Sequence, residues 1–190
     1  MHARVLAAAT IAMSKLDLVP IDPIAVKQVV GGLIFSLTAK NDFAELDVCF
    51  HDAGNVEQDL EQVFYDIQNK DITHIIDAIS HVGDILVGIQ KDTTDCTSIQ
   101  DDIQRITVWG DIFRHPKMAI FMIGGNIFAN MFDIVHHLDA LNTAVTATEY
   151  QTVGQELGSI MIDALGPVPG VVYPEGFLPE SIEVMQITKW

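Results

Sequence analysis

Positive charge is scarce in this sequence. Ten Lys and Arg stand against 26 Asp and Glu, a formal net charge of −16 over 190 residues. Phosphate backbones and anionic lipid surfaces are repelled by such a chain, so nucleic acid is excluded as a partner. The acids invite divalent cations only weakly, because no D-x-[DN]-x-[DN]-G loop with a closing Glu gathers them into a site. Cysteine is scarcer still. Cys49 and Cys96 are the only two, and 46 intervening residues exclude the close pairs of zinc and redox motifs. Chemical motifs are also missing: there is no hydrolase elbow, no glycine-rich phosphate loop after a strand and no Glu-x-x-His pair. Carboxylate pairs such as Glu57 with Asp59, or Glu61 with Asp66, have the spacing of an exposed helix face and no sign of a cleft. The reading is therefore a non-enzyme with no cofactor, catalytic residue or metal site.

What is present is a core. Hydrophobic residues make up 49% of the chain, which excludes disorder, and no period of 20 to 50 residues repeats. One domain is expected, at residues 23–166, flanked by an apolar or extended segment at 1–22 and a Pro-rich extended segment at 167–190. Residues 1–13 resemble a secretory leader in their basic start and short apolar stretch.

Apolar periodicity between those ends is helical throughout. Asp22 before Pro23 predicts a capped helix to about residue 37, on Val26, Val29, Val30, Leu33, Ile34 and Leu37. A second helix from about residue 41 follows a seven-residue repeat through Leu46, Cys49, Val56, Leu60, Val63 and Ile67, with Gly54–Asn55 as a point of kinking or splitting. A third spans about 72–90, and Thr93 and Thr94 offer caps for a fourth. Residues 118–141 are apolar nearly all round, which predicts the central buried helix. Thr148 is the expected cap of a last helix that Gly166–Pro167 ends, with Gly154 and Gly158 placed for close packing. Gly31–Gly32 and Gly124–Gly125 likewise suit packing better than phosphate binding. The expected fold is all-α: an antiparallel bundle of about five to six helices around 118–141, with extended termini.

Up–down–up topology brings the starts of the second and fourth helices to one end, and Cys49 and Cys96 sit near those starts. That favours a disulfide over two buried thiols, and with it an extracellular or secretory location.

Two polar constellations suggest sites. Asn126, Asn130, Asp133 and His137 fall within about 60° on the 118–141 helix, a narrow polar stripe. Asp133 and His137 alone lack the third ligand zinc needs, so hydrogen bonding to neighbouring helices is the expected role. His74, Asp77, His81 and Asp84 share a face opposite their apolar seam and are expected in solvent. The stripe also interrupts the apolar run at 118–135, so a membrane span is disfavoured.

The spacing of Cys49, Cys96, Trp109, the IFRHP stretch at 112–116, Asn126, Asn130, Tyr150, Gly154 and Gly158 is similar to that of a family of small secreted all-helical proteins found in ciliates and other protists. The similarity covers about residues 26–165. It implies an all-helical fold and an export route and supplies no catalytic residue.

With no chemistry legible, assembly is the expected function. The chain reads as a structural protein that forms an oligomer or filament through its termini, using Val5, Leu6, Ile11 and Met13 at one end and Val171, Val172, Tyr173, Phe177 and Leu178 at the other. The alternatives are a small apolar ligand held against Met118, Met122 and Met131, or an accessory subunit of a membrane-associated complex.

Overall fold

A computed structural model describes residues 21–50, 54–69, 71–114 and 116–178. These residues form eight α-helices and one 3-10 turn: α1 Pro23–Thr38, α2 Phe43–Cys49, α3 Gly54–Ile67, α4 Ile72–Asp92, α5 Gln100–Gly110, the turn Asp111–Arg114, α6 Pro116–Ala129, α7 Met131–Thr146 and α8 Tyr150–Leu165. The fold is the expected all-α bundle, more finely divided than its periodicity alone indicates.

The central helix is α1. Asp22 accepts the Ala25 N–H at 2.7 Å and Pro23 supplies a first-turn residue with no N–H to lose. Eleven of the sixteen residues of α1 are buried, more than half of them Val, Ile or Leu. Its main neighbour is α8, and the two backbones almost touch. A Cβ added at Gly154 would fall 2.0 Å from the Val29 carbonyl oxygen, and one at Gly32 would fall 2.0 Å from that of Gln151. Only glycine permits this approach, as the pattern at 154 and 158 predicts. The α3–α4 pair closes the other side, with Val56, Leu60, Val63, Ile75, Ile79, Val82 and Leu86 in the core. Among the described helices α4 is long and apolar enough to cross a membrane, yet those positions bury its apolar side inside the bundle.

Several expectations need correction. The stretch 118–141 is not one central helix but two, divided at Asn130, whose backbone (φ −105°, ψ 21°) leaves the helical region. The division is a kink: Asn130 N–H still donates to Asn126 O at 2.8 Å, and Ile134 N–H to Asn130 O at 3.0 Å. Nor is the stretch enclosed, since Phe121, Phe128 and Phe132 are exposed. Gly124 and Gly125, expected to pack, have nothing within 4 Å of an added Cβ among the described residues. Thr93 caps no helix. It is buried at the end of α4, donates its hydroxyl to Ile89 O at 2.7 Å, and leaves 93–99 to run as turns before α5. Thr148 adopts a left-handed φ of 58° and donates to Ala147 O, so α8 begins at Tyr150 without a side-chain cap.

Cys49 and Cys96 form a disulfide, joining the end of α2 to the turns before α5. Closing a loop of this length is worth about 4 kcal/mol in the chain-entropy account.

The largest departure lies after α8. Pro-rich composition predicts an extended tail, but Gly170 and Gly176 have φ of 79° and 74°, and these two left-handed turns fold 166–178 back over α1. Tyr173 donates its hydroxyl to Leu37 O at 2.7 Å and accepts the Val168 N–H at 3.2 Å. Phe177 meets Phe35 edge-on at 5.6 Å. Of the expected C-terminal assembly contacts, Leu178 is buried, Val171, Tyr173 and Phe177 pack against the chain's own core, and Val172 alone points into solvent. Apolar side chains that find a core within their own chain are no longer free to seek another. The expected N-terminal contacts Val5, Leu6, Ile11 and Met13 lie outside the described residues.

Candidate functional site

The polar stripe turns inward, onto α8. A helix leaves its last four carbonyls without intrahelical partners. At the end of α8, two of these are satisfied by the stripe: Asn126 donates its side-chain N–H to Ala164 O at 2.8 Å, and Asn130 to Asp163 O at 2.7 Å. Further along, Glu156 and Asp163 of α8 face His137. They are seven residues apart and so lie on one helical face. His137 Nδ1 is 2.6 Å from Glu156 Oε2, and its Nε2 is 3.7 Å from Asp163 Oδ2.

Asp163 is fully buried, and neither carboxylate oxygen has a hydrogen-bond donor among the described residues. Burial pushes its carboxyl up to about 7; the His137 charge pulls down and Asp133 pushes further up. For His137, burial is the largest single influence and lowers the pKa, but the Glu156 hydrogen bond and the charges of Asp163, Glu156 and Asp133 together outweigh it. The imidazole is therefore raised above its ordinary value. Burial of Asp163 and the carboxylates around the imidazole thus hold both Asp163 and His137 above their ordinary values. Among the described residues, no group of three or more His, Cys, Asp and Glu side chains is arranged to hold a metal ion.

Glu156 and Asp163 were not singled out from sequence. The available signal was their seven-residue spacing, with Asp163 interrupting the apolar run Ile160, Met161, Ile162 and Ala164. The face of His74, Asp77, His81 and Asp84 is only partly solvated. Asp77 and Asp84 are exposed, while half-buried His81 lies 3.7 Å from Asp66 on α3 and half-buried His74 pairs with Asp71. Burial raises the carboxyls of Asp59 and Asp66 on that side.

Because the stripe faces α8, the opposite side of α6–α7 faces out. At about 100° per residue, positions 121, 125, 128 and 132 align within about 60°. They carry Phe121, Gly125, Phe128 and Phe132, and the three phenylalanines are 86%, 80% and 92% exposed. Residues 118–132 include no charged residue. By contrast, an apolar void among Ile67, Ile79, Val82, Leu138, Leu157 and Ile160 has a volume of only about 10 Å³, far below the roughly 300 Å³ at which small-molecule sites begin.

These features define a disulfide-closed helical bundle of an oxidising compartment, with an inward charge cluster and an outward aromatic face. The chain belongs to the Secreted protein B-like (SctB-like) family, whose pattern matches residues 26–165, from α1 to the end of α8. No curated protein and no solved structure matches it.

Proposed function

We propose that this secreted protein is structural and non-enzymatic, and that it self-associates into an oligomer or filament after export. The observation that supports this reading is the uncharged face of Phe121, Phe128 and Phe132 on a chain of net charge −16. Exposed aromatic side chains in contiguous array mark a contact surface, since burying them is the main favourable term in association. The spacing of core positions from Cys49 to Gly158 supports kinship with secreted proteins of ciliates and other protists.

The test is the mass of the full-length native particle by light scattering across a concentration series. A mass that is a multiple of the 20.9 kDa chain is expected. A monomer at every concentration overturns the reading. Co-purification with one foreign chain in fixed stoichiometry would favour an accessory-subunit role through the same face.

A further inference from the structure

We infer that the outward face of α6 is a two-fold contact with a second copy of this chain, its axis passing through Gly124–Gly125. The inference rests on the self-association proposed above and specifies its surface and symmetry.

Three observations carry it. First, Phe121 and Phe128 are equidistant in sequence from the midpoint of the glycine pair. A two-fold axis there, perpendicular to the helix, sets Phe121 of each copy against Phe128 of the other, and an isologous contact requires that reciprocity. Second, the glycines have no packing role within their own bundle. Gly32, Gly83, Gly154 and Gly158 each have an atom within 2.5 Å of an added Cβ, whereas Gly124 and Gly125 meet nothing within 4 Å among the described residues. Gly88 is similarly open but stands alone. Paired glycines between flanking phenylalanines leave a notch in which two helices cross at close range, each offering both ridge and recess. Third, charge selects the face. Two chains of −16 repel over most of their surfaces, and residues 118–131, the stretch symmetric about that axis, include no charged residue to oppose contact. The same net charge disfavours an anionic lipid surface.

The size is sufficient. A phenylalanine side chain buries roughly 150–250 Å². Phe121 and Phe128, 86% and 80% exposed, cover on the order of 700 Å² in a pair, and Phe132 of α7, 92% exposed, extends the same face towards the roughly 1,000 Å² at which specific interfaces begin.

The test uses full-length Phe121→Asp and Phe128→Lys, alone and mixed. Both positions are exposed, so circular dichroism should report unchanged helicity. Each variant alone should dissociate to the 20.9 kDa chain, with association weakened at least about tenfold. Mixing them should restore a hetero-pair, because the introduced carboxylate and ammonium then meet across one contact while the native Phe128 and Phe121 meet across the other. Dissociation of each variant without rescue on mixing overturns the two-fold geometry. An unchanged mass for Phe121→Asp overturns this face as the contact while leaving self-association standing. A wild-type chain that is monomeric throughout overturns both, and flotation of that monomer with phosphatidylcholine vesicles would identify lipid as the occupant.

Discussion

Helices α1 and α6 are alike on paper and opposite in place. Each is apolar nearly all round and each contains a glycine pair. In α1 the pair is enclosed: an added Cβ at Gly31 would fall 2.6 Å from the Phe43 ring, and one at Gly32 would fall 2.0 Å from Gln151 O. In α6 the pair lies open between exposed phenylalanines. The difference comes from the polar residues. The few on α1 find scattered partners: Thr38 returns its hydroxyl to Ile34 O, Ser36 sits 3.3 Å from Ser159 on α8, and Lys27 donates to Asp47 O on α2 at 2.9 Å. The α6–α7 stretch carries a stripe that matches a specific need, the unpaired carbonyls of Asp163 and Ala164. Satisfying them inside the protein turns the phenylalanine side outward, while Ile123, Ile127 and Ile134 stay buried beside the stripe. Hydrogen-bond demand at one helix end thus sets the rotation of another helix, against the simple rule that apolar faces look inward.

The contrast can be broken most forcefully on the α1–α8 side. Gly154→Ala should destabilise the fold by about 3 kcal/mol, because the new methyl meets backbone atoms of Val29 that cannot move aside. A thermal melt checks it, and a loss below about 1 kcal/mol would show that the two helices part easily.

Next in size is the charge cluster. Asp163 titrates at about 7 when folded against 3.8 as its reference value, so the native state binds more protons than the unfolded chain between these values. Stability therefore falls as pH rises through that window, at up to about 1.4 kcal/mol per pH unit. Raised His137 acts in the same direction: its contribution is complete below its unfolded pKa and lost as pH rises through its higher folded one. Asp163→Asn should flatten denaturant midpoints measured from pH 4 to 8 and stabilise the protein by about 1–2 kcal/mol at pH 8. A pH profile parallel to wild type would show that the cluster does not couple to folding.

A smaller effect is expected at the C-terminal segment. Tyr173→Phe removes the bond to Leu37 O and the acceptor for Val168 N–H, costing about 1–1.5 kcal/mol. Proteolysis between 166 and 178 should accelerate in parallel. The smallest change has the opposite sign. Gly125→Ala should raise helix stability by roughly 0.5–1 kcal/mol, while weakening association in light scattering. Glycine to alanine would then harm one helix and help its look-alike.

What was legible from sequence follows the range of the interactions. The Asp22–Pro23 start of α1 could be read because a cap needs only neighbouring residues. Cys49 and Cys96 could be paired because helix order alone brings their ends together. The stripe at 126, 130, 133 and 137 could be recognised, but its direction could not. A 3.6-residue period fixes the angle between two faces of a helix and does not say which meets a partner. That depended on Glu156, Asp163 and the end of α8, distant in the chain. Tyr173 was misplaced for a related reason: proline content indicated extension, while two glycines allowed the return to α1.

The disulfide has a mechanical consequence for any protein that serves as building material. Tension applied between residues 21 and 178 runs through α1, α2, the Cys49–Cys96 bond and then α5 onward, bypassing everything between the cysteines. The α3–α4 hairpin lies wholly within that bypass, so stretching does not load it. About 160 Å of contour, at roughly 3.4 Å per residue, is withheld from extension until the bond is reduced. A pulled particle would therefore extend by that much less while the bond is intact.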